Sequence, residues 1–263
     1  MGPKEKNQKM LVLGATGMLG QAFCRQARLS GWSVRGVARS GSDINLDLST
    51  TADQLKLMEV PPADVIVNAA AVTDLNVCET SKDYTKKINS ELPGALAELA
   101  QKWGAYFVQV STDHYYTGDG RQKHDEDHPV KLLNNYASSK FEGEKQALKY
   151  KQSLVVRTNI VGFRGLSGKP TFLEWVLTQL KEKKDFKAFD DFITSSIDVG
   201  SFSESLLALI SGPKPLGILN LASSQVASKK EFIEAIAHEF HFSLEKMSTA
   251  SVKDLSGAKR GES

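Results

Sequence analysis

Met10-Leu11-Val12-Leu13-Gly14-Ala15-Thr16-Gly17-Met18-Leu19-Gly20 is the stretch from which the rest of this chain is best understood. Four apolar residues break at once into a glycine loop, the pattern of a buried strand entering a tight turn. Beyond the loop, Leu19, Ala22, Phe23, Ala27 and Leu29 recur at helical spacing, so the loop joins a strand to a helix. A helix N-terminus presents unpaired backbone N–H groups and a partial positive charge, and glycines let a phosphate approach them unhindered. Gly14, Thr16, Gly17, Met18, Leu19 and Gly20 are therefore expected to hold the phosphates of a dinucleotide.

The alternation continues outward. Ser33–Ala38 reads as a second strand with Arg39-Ser40 at its end, and Asp64–Asn68 as a third, followed by Ala69-Ala70-Ala71. A helical pattern spans Tyr84–Trp103, interrupted near Pro93, and Ala105–Val110 is another strand. Tyr115–Asn135 is polar and turn-rich and reads as a loop that delivers Tyr136 onto a helix running to about Tyr150, followed by the strand Leu154–Val156. Strands alternating with helices imply right-handed crossovers, hence a Rossmann-like, doubly wound parallel sheet of the α/β class, over residues 1–160. Past Thr158 the alternation weakens into helices near Phe172–Lys183, Val199–Ile210 and Lys229–Phe240 and a strand Ile218–Leu221. Residues 161–263 are expected to form a smaller substrate-binding lobe closing over the crevice.

With 263 residues, 41% hydrophobic and 24% charged, the composition is that of a globular protein. No apolar run approaches the ~20 residues of a membrane span, and the polar Met1–Lys9 reads as a loose leader without a secretory core. A net charge of +2 with both signs interspersed gives no case for nucleic acid. Cys24 and Cys78 have neither zinc-ligand nor disulfide-framework spacing, so buried thiols, no metal and a cytoplasmic home are expected.

Every polar cluster falls at a strand end: the glycine loop, Arg39, Asn68 and Ser111-Thr112-Asp113 all point at one crevice. Tyr136 and Lys140 are four apart, one turn along a helix face. A nearby ammonium favours the phenolate and would lower the tyrosine pKa from near 10 toward the working range. Ser111 or Thr112 could then hold a carbonyl oxygen against Tyr136 while a nicotinamide exchanges hydride. Arg39-Ser40, where an acidic residue would favour NAD, points to NADP(H), with NAD(H) as the alternative.

These residues carry a resemblance. Gly14, Gly17 and Gly20, Asp47-Leu48, Asn68-Ala69-Ala70-Ala71, Asn89, Ser111-Thr112-Asp113, Tyr136, Lys140, Phe141-Glu142-Gly143-Glu144, Arg157-Thr158 and Gly217–Ala222 with Glu231-Phe232 resemble the extended short-chain dehydrogenase/reductase family. Within it they are most similar to the dTDP-4-dehydrorhamnose reductases. The resemblance covers nearly the whole chain. It implies NADPH-dependent reduction of a 4-keto nucleotide sugar, with Thr112, Tyr136 and Lys140 catalytic and with Asp47, Leu48, Asn68, Ala69, Ala70, Ala71, Asn89, Tyr136 and Lys140 joining the loop, Arg39 and Ser40 around the cofactor. Thr73, Ser111, Thr112, Asp113 and Arg260 are implied on the substrate, and the protein is expected to be a homodimer.

The chain also departs from that pattern. Tyr-Val-Phe-Asp-Gly, usual after Ser-Thr-Asp, is replaced by His114-Tyr115-Tyr116-Thr117-Gly118, an aromatic residue of the sugar pocket is replaced by Ile160, and the sequence ends soon after Ala258-Lys259-Arg260. Two other functions compete. A dehydratase or epimerase of the same fold resembles its relatives in placing a Glu after Thr-Asp, where this chain has His114. A non-catalytic, NADP-binding regulatory subunit, like the beta subunit associated with methionine adenosyltransferase, would need the glycine loop and not the tyrosine.

Overall fold

The computed structural model of the chain describes residues 8–116, 120–166 and 168–254. Seven segments form one sheet: β1 (Lys9–Leu13), β2 (Ser33–Ala38), β3 (Ile44–Asn45), β4 (Val65–Asn68), β5 (Tyr106–Val110), β6 (Ser153–Arg157) and, far along the chain, β11 (Gly217–Asn220). Their order is β11-β6-β5-β4-β1-β2-β3 and every pairing is parallel. The apolar runs in β1, β4, β5 and β6 are buried on both sides, which continuous Val, Ile and Leu tolerate and an alternating pattern would not.

Helices cover both faces. Phe23, Cys24 and Ala27 of α1 (Met18–Leu29) pack with Phe202 and Leu206 of α8 (Val199–Ser211) on one side. On the other, Leu57 of α2 (Thr51–Leu57), Leu92, Leu96 and Leu99 of α5 (Leu92–Trp103) and Ala147 of α6 (Asn135–Ala147) meet Leu11, Ile66, Phe107 and Val155 of the sheet. The chain order reverses between β1 and β4, whose ends align at Leu13 and Asn68, so a crevice opens beyond those ends.

The small lobe is a separate core of Val176, Leu180, Phe186, Ile233 and Ile236. It unites α7 (Phe172–Lys181) and α9 (Lys229–Glu239) with the parallel pair β8 (Phe186–Phe189) and β13 (Met247–Ala250). Both helices begin with a reciprocal cap, Thr171 with Glu174 and Ser228 with Glu231. Two short pairs join the lobe to the sheet: β7 (Ile160–Val161) with β10 (Ile197–Asp198), and β9 (Ile193–Thr194) with β12 (Ala227–Ser228).

Two expectations change and a third is sharpened. A division at residue 160 does not follow the sheet, because β11 and α8 return from beyond it to complete the large layer; hydrophobic periodicity reports that a segment is buried but not against what. Leu29 is 73% exposed, and Cys24 and Gly20 take the buried face instead. The interruption expected near Pro93 takes the form of a π-helical turn just before it, while Pro93 itself lies in the first turn of α5. The irregularity lies upstream, where α3 (Leu75–Thr80) and α4 (Lys82–Lys86) lead into a π-helical turn at Lys87–Glu91. Both cysteines are buried and free, and burial pushes the Cys24 thiol up to about 11.

Candidate active site

The glycine loop meets the expected geometry through its backbone. Gly14 has φ +77°, a conformation that L side chains resist, and a Cβ there would lie 2.8 Å from the backbone of Ala69 and Ala70. A Cβ on Gly20 would lie 2.1 Å from the Gly14 carbonyl oxygen, so the helix can start against the loop only without a side chain. Helix α1 begins at Gly17 with no side-chain cap and no acidic residue in its first turn, which leaves its N–H groups available to an anion.

That loop forms one wall of a cleft of about 600 Å³, in which Gly17, Met18, Leu19 and Gly20 face Ala69, Ala71 and Thr73 and, further along, Ser111, Thr112, Asp113, Tyr136 and Lys140. Thr16 and Ser40 line a separate surface groove at the outer side of the loop, and Arg39 is exposed beside them at the end of β2. Ala70 turns into the core. The side chains of Asn68 and Asn89, expected beside the cofactor, do not line the cleft. Asn68 donates to Gln109 Oε1 at 2.8 Å and accepts from the Ala70 N–H, while Asn89 accepts from Val72 N–H and donates to Val72 O and to Ser139. These buried amides shape the loop after β4 instead. Asp47 likewise turns to Ser49, whose hydroxyl and N–H donate to it, and Leu48 packs in the core.

At the other end of the cleft, Asn134 caps α6 by accepting from the Ala137 N–H and so sets Tyr136 and Lys140 at the start of a firm helix. Tyr136 and Thr112 line the cleft together, with the Thr112 hydroxyl accepting from the His114 N–H at 3.1 Å. Burial pushes the phenol up to about 12, against the opposing pull of nearby Thr112. This overturns the expected lowering: Lys140 donates to the Val110 carbonyl at 2.7 Å, is itself lowered to about 8 by burial, and does not figure among the groups acting on Tyr136. The tyrosine is accordingly a neutral donor at pH 7. Ser111, the other hydroxyl considered for a carbonyl oxygen, is engaged 3.1 Å from the Tyr115 hydroxyl, which leaves Thr112 nearest the tyrosine. Tyr115 in turn lies under Arg157, whose buried ion pair with Glu144 at 2.8 Å ties β6 to α6. Truncating one partner of such a pair typically costs about 3–5 kcal/mol.

Several residues not singled out from the sequence line the site. Phe172 and Phe192 form its lobe-side wall together with Ile160, which the sequence had already marked, and with Asn159, whose amide donates to Asp113 Oδ1 at 3.2 Å and accepts from Ser196. Burial raises the Asp113 carboxyl to about 6, while Asn159 and Lys229 pull it back. The Lys229 ammonium lies 4.8 Å and 5.4 Å from the centres of Phe172 and Phe192. Arg164 faces the glycine loop and keeps a buried Nε with no hydrogen-bond partner, an orphan donor suited to an anion. Its only sequence signal is a lone arginine among glycines. Arg260, Thr117 and Gly118 lie outside the described residues.

Comparison with known proteins agrees with this architecture. Residues 8–262 match the family model described as RmlD substrate binding domain. The spore coat polysaccharide biosynthesis protein SpsK of Bacillus subtilis is 32% identical, over 88% of this chain and 79% of that one. The dTDP-4-dehydrorhamnose reductase of Mycolicibacterium smegmatis is 30% identical, over 84% of this chain and 66% of that one. The crystal structure of dTDP-4-dehydrorhamnose reductase from Bacillus anthracis in complex with NADP superposes with a TM-score of 0.86 at 21% identity, covering 98% of this chain and 89% of that one. The parallel sheet, the glycine loop at its switch point and the match over nearly the full length lead to one conclusion: this chain belongs to the RmlD substrate binding domain family.

Proposed function

We propose that the protein is an NADPH-dependent reductase of a 4-keto nucleotide sugar, of the dTDP-4-dehydrorhamnose reductase kind. The observation that carries this reading is the convergence of Thr112, Tyr136 and Lys140 in the same cleft as the glycine loop. The crowded glycines, the uncapped start of α1 and the orphaned Arg164 Nε fit a dinucleotide diphosphate. Arg39 and Ser40 would meet a 2′-phosphate, and Lys140 the nicotinamide ribose. NADPH, when bound, supplies the hydride for the carbonyl carbon.

The chain supplies the rest. Thr112 holds the carbonyl oxygen by a hydrogen bond that strengthens as negative charge grows on it. Tyr136, protonated at neutral pH, delivers its proton to that oxygen as the alcohol forms. The small lobe provides the substrate side of the cleft, with Phe172 and Phe192 against the sugar, and Thr73, Ser111 and Asp113 complete the reading from the opposite wall. The reaction belongs to carbohydrate biosynthesis in the cytoplasm, carried out by a homodimer without nucleic-acid partners. Among the described residues no helix is long and apolar enough to cross a membrane, and no cluster of metal-ligating groups occurs.

The test is the absorbance of free NADPH with a panel of 4-keto nucleotide sugars. Stoichiometric consumption is expected. A dehydratase or epimerase would convert a 4-hydroxy nucleotide sugar with no net consumption, and a regulatory subunit would bind NADPH and consume none with any sugar; either outcome overturns the reading.

A further inference from the structure

Just after β7, the residues Gly162 to Gly165 are tied both to the sheet layer and to the small lobe. On the sheet side, a Cβ on Gly162 would meet the Met18 sulfur at 3.6 Å. There too, Gln21 of α1 donates to the Thr16 carbonyl at 3.0 Å and to the Arg164 carbonyl at 3.4 Å. On the lobe side a single carboxylate gathers the chain. Glu174 Oε1 accepts from the N–H groups of Arg164 and Gly165 at 2.7 Å each, and its Oε2 accepts from the Thr171 N–H at 2.7 Å. The Thr171 hydroxyl completes the tie by donating to the Gly162 carbonyl at 2.6 Å.

A reciprocal helix cap needs only the Thr171 half of this arrangement, as Ser228 and Glu231 show at the start of α9. The two bonds from Arg164 and Gly165 serve something other than the helix. The Gly165 and Thr171 N–H groups hold the Glu174 carboxyl down to about 2, so it remains an acceptor at any working pH.

What these bonds fix is Arg164. Its side chain lines the cleft with Gly17–Gly20, one terminal nitrogen donates to the Lys169 carbonyl, and the buried Nε has no partner among the described residues. Of the lysines and arginines that line the cleft, Lys140 is committed to the Val110 carbonyl, which leaves Arg164 for an anion. A diphosphate there would be held from the sheet by the first turn of α1 and from the lobe by Arg164. Helix α7, in whose first turn Glu174 lies, also carries Phe172 on the substrate side of the cleft.

We propose that Glu174 is a positioning residue: by holding Arg164 against the cofactor diphosphate it ties that diphosphate to α7, so that cofactor binding seats the small lobe. The inference rests on the cleft being a dinucleotide site and not on the reduction itself. Hydrogen exchange of the α7 amides reads it directly. Saturating NADPH is expected to slow that exchange on the order of tenfold, the scale of one charge-assisted hydrogen bond. 2′-Phospho-ADP-ribose, which keeps the diphosphate, should act alike, and adenosine 2′-monophosphate, which lacks it, should not.

Arg164→Met should weaken NADPH binding about tenfold or more by calorimetry and abolish the slowing even at saturation. Glu174→Ala should also abolish the slowing, with a smaller loss of affinity. Glu174→Gln, whose amide oxygen can still accept from Arg164 and Gly165, should restore the response. Ser228→Ala removes the equivalent cap from α9 and so loosens the lobe without touching Arg164; its response to NADPH should persist.

An α7 exchange rate indifferent to NADPH in the wild-type chain overturns the link. So does slowing that survives in Arg164→Met, a response lost equally in Ser228→Ala, or a full response to adenosine 2′-monophosphate. Slowed exchange without NADPH consumption by any keto-sugar would overturn the reductase reading and leave the link standing. Consumption with α7 unaffected would do the reverse, so the two failures are distinct.

Discussion

The two ends of the cleft are built from different materials. At the cofactor end the work is done by backbone: Gly14 and Gly20 clear the space, and the first turn of α1 offers its N–H groups. At the end proposed as catalytic it is done by side chains, buried Thr112 and Lys140 around the partly buried Tyr136, with Lys140 held by the carbonyl of Val110 on a neighbouring strand. A backbone site needs only the right residue at each position of one segment. A side-chain site needs several segments to converge, and burial then alters the groups it gathers, which is why Tyr136 rises rather than falls.

The contrast can be broken first at its chemical end. Tyr136→Phe removes the proton donor and should lower kcat by about 10²–10⁴ while NADPH affinity stays within a few fold, read by steady-state rates and fluorescence titration. Retained turnover would remove Tyr136 from the mechanism. The opposite substitution, Gly20→Ala, should leave the catalytic side chains in place and weaken NADPH binding by about tenfold or more, because overpacking against the Gly14 carbonyl distorts the loop. Wild-type affinity by calorimetry would mean that the loop can relax and that its close approach is not needed.

A subtler distinction concerns Arg39, a side chain at the backbone-built end. Arg39→Asp should invert the preference for NADP(H) over NAD(H), a swing of roughly tenfold from losing one phosphate contact and gaining repulsion. Equal affinities in both forms would leave Arg39 as a surface charge.

The smallest effect tests burial at the catalytic end. With the Asp113 carboxyl held up to about 6, the folded chain binds more proton than the unfolded one between roughly pH 4 and 6. Its contribution to stability is therefore present below that window and is lost as the pH rises through it. Asp113→Asn should remove this slope and raise Tm at pH 7 by on the order of 3 °C, measured as melts across pH 4–7.5 in both forms. Parallel curves would mean that Asp113 titrates as an exposed acid does.

Local signals in the sequence were sufficient for the glycine loop, the buried strands and the helical spacing of Tyr136 and Lys140, because each depends on neighbours a few residues away. They did not reach the partners of Asn68 and Asn89: strand-end position places an amide near a crevice, but the cross-strand partner Gln109 and the Val72 loop decide which way it turns. They were silent on Phe172, Phe192, Lys229 and Arg164, which reach the cleft from the lobe or from a loop far along the chain.

By itself, then, the sequence determined the parallel α/β sheet, the glycine loop between its first strand and first helix, and the helical spacing of Tyr136 and Lys140, since periodicity and glycine sterics are properties of short segments. Only the tertiary structure decided that β11 and α8 complete the large layer, that the Ser111 hydroxyl is engaged with Tyr115, and that Lys140 donates to the Val110 carbonyl while burial raises the Tyr136 phenol. Those outcomes depend on which distant groups share a buried volume, and hydrogen-bond partners and desolvation are settled only when the chain has closed around them.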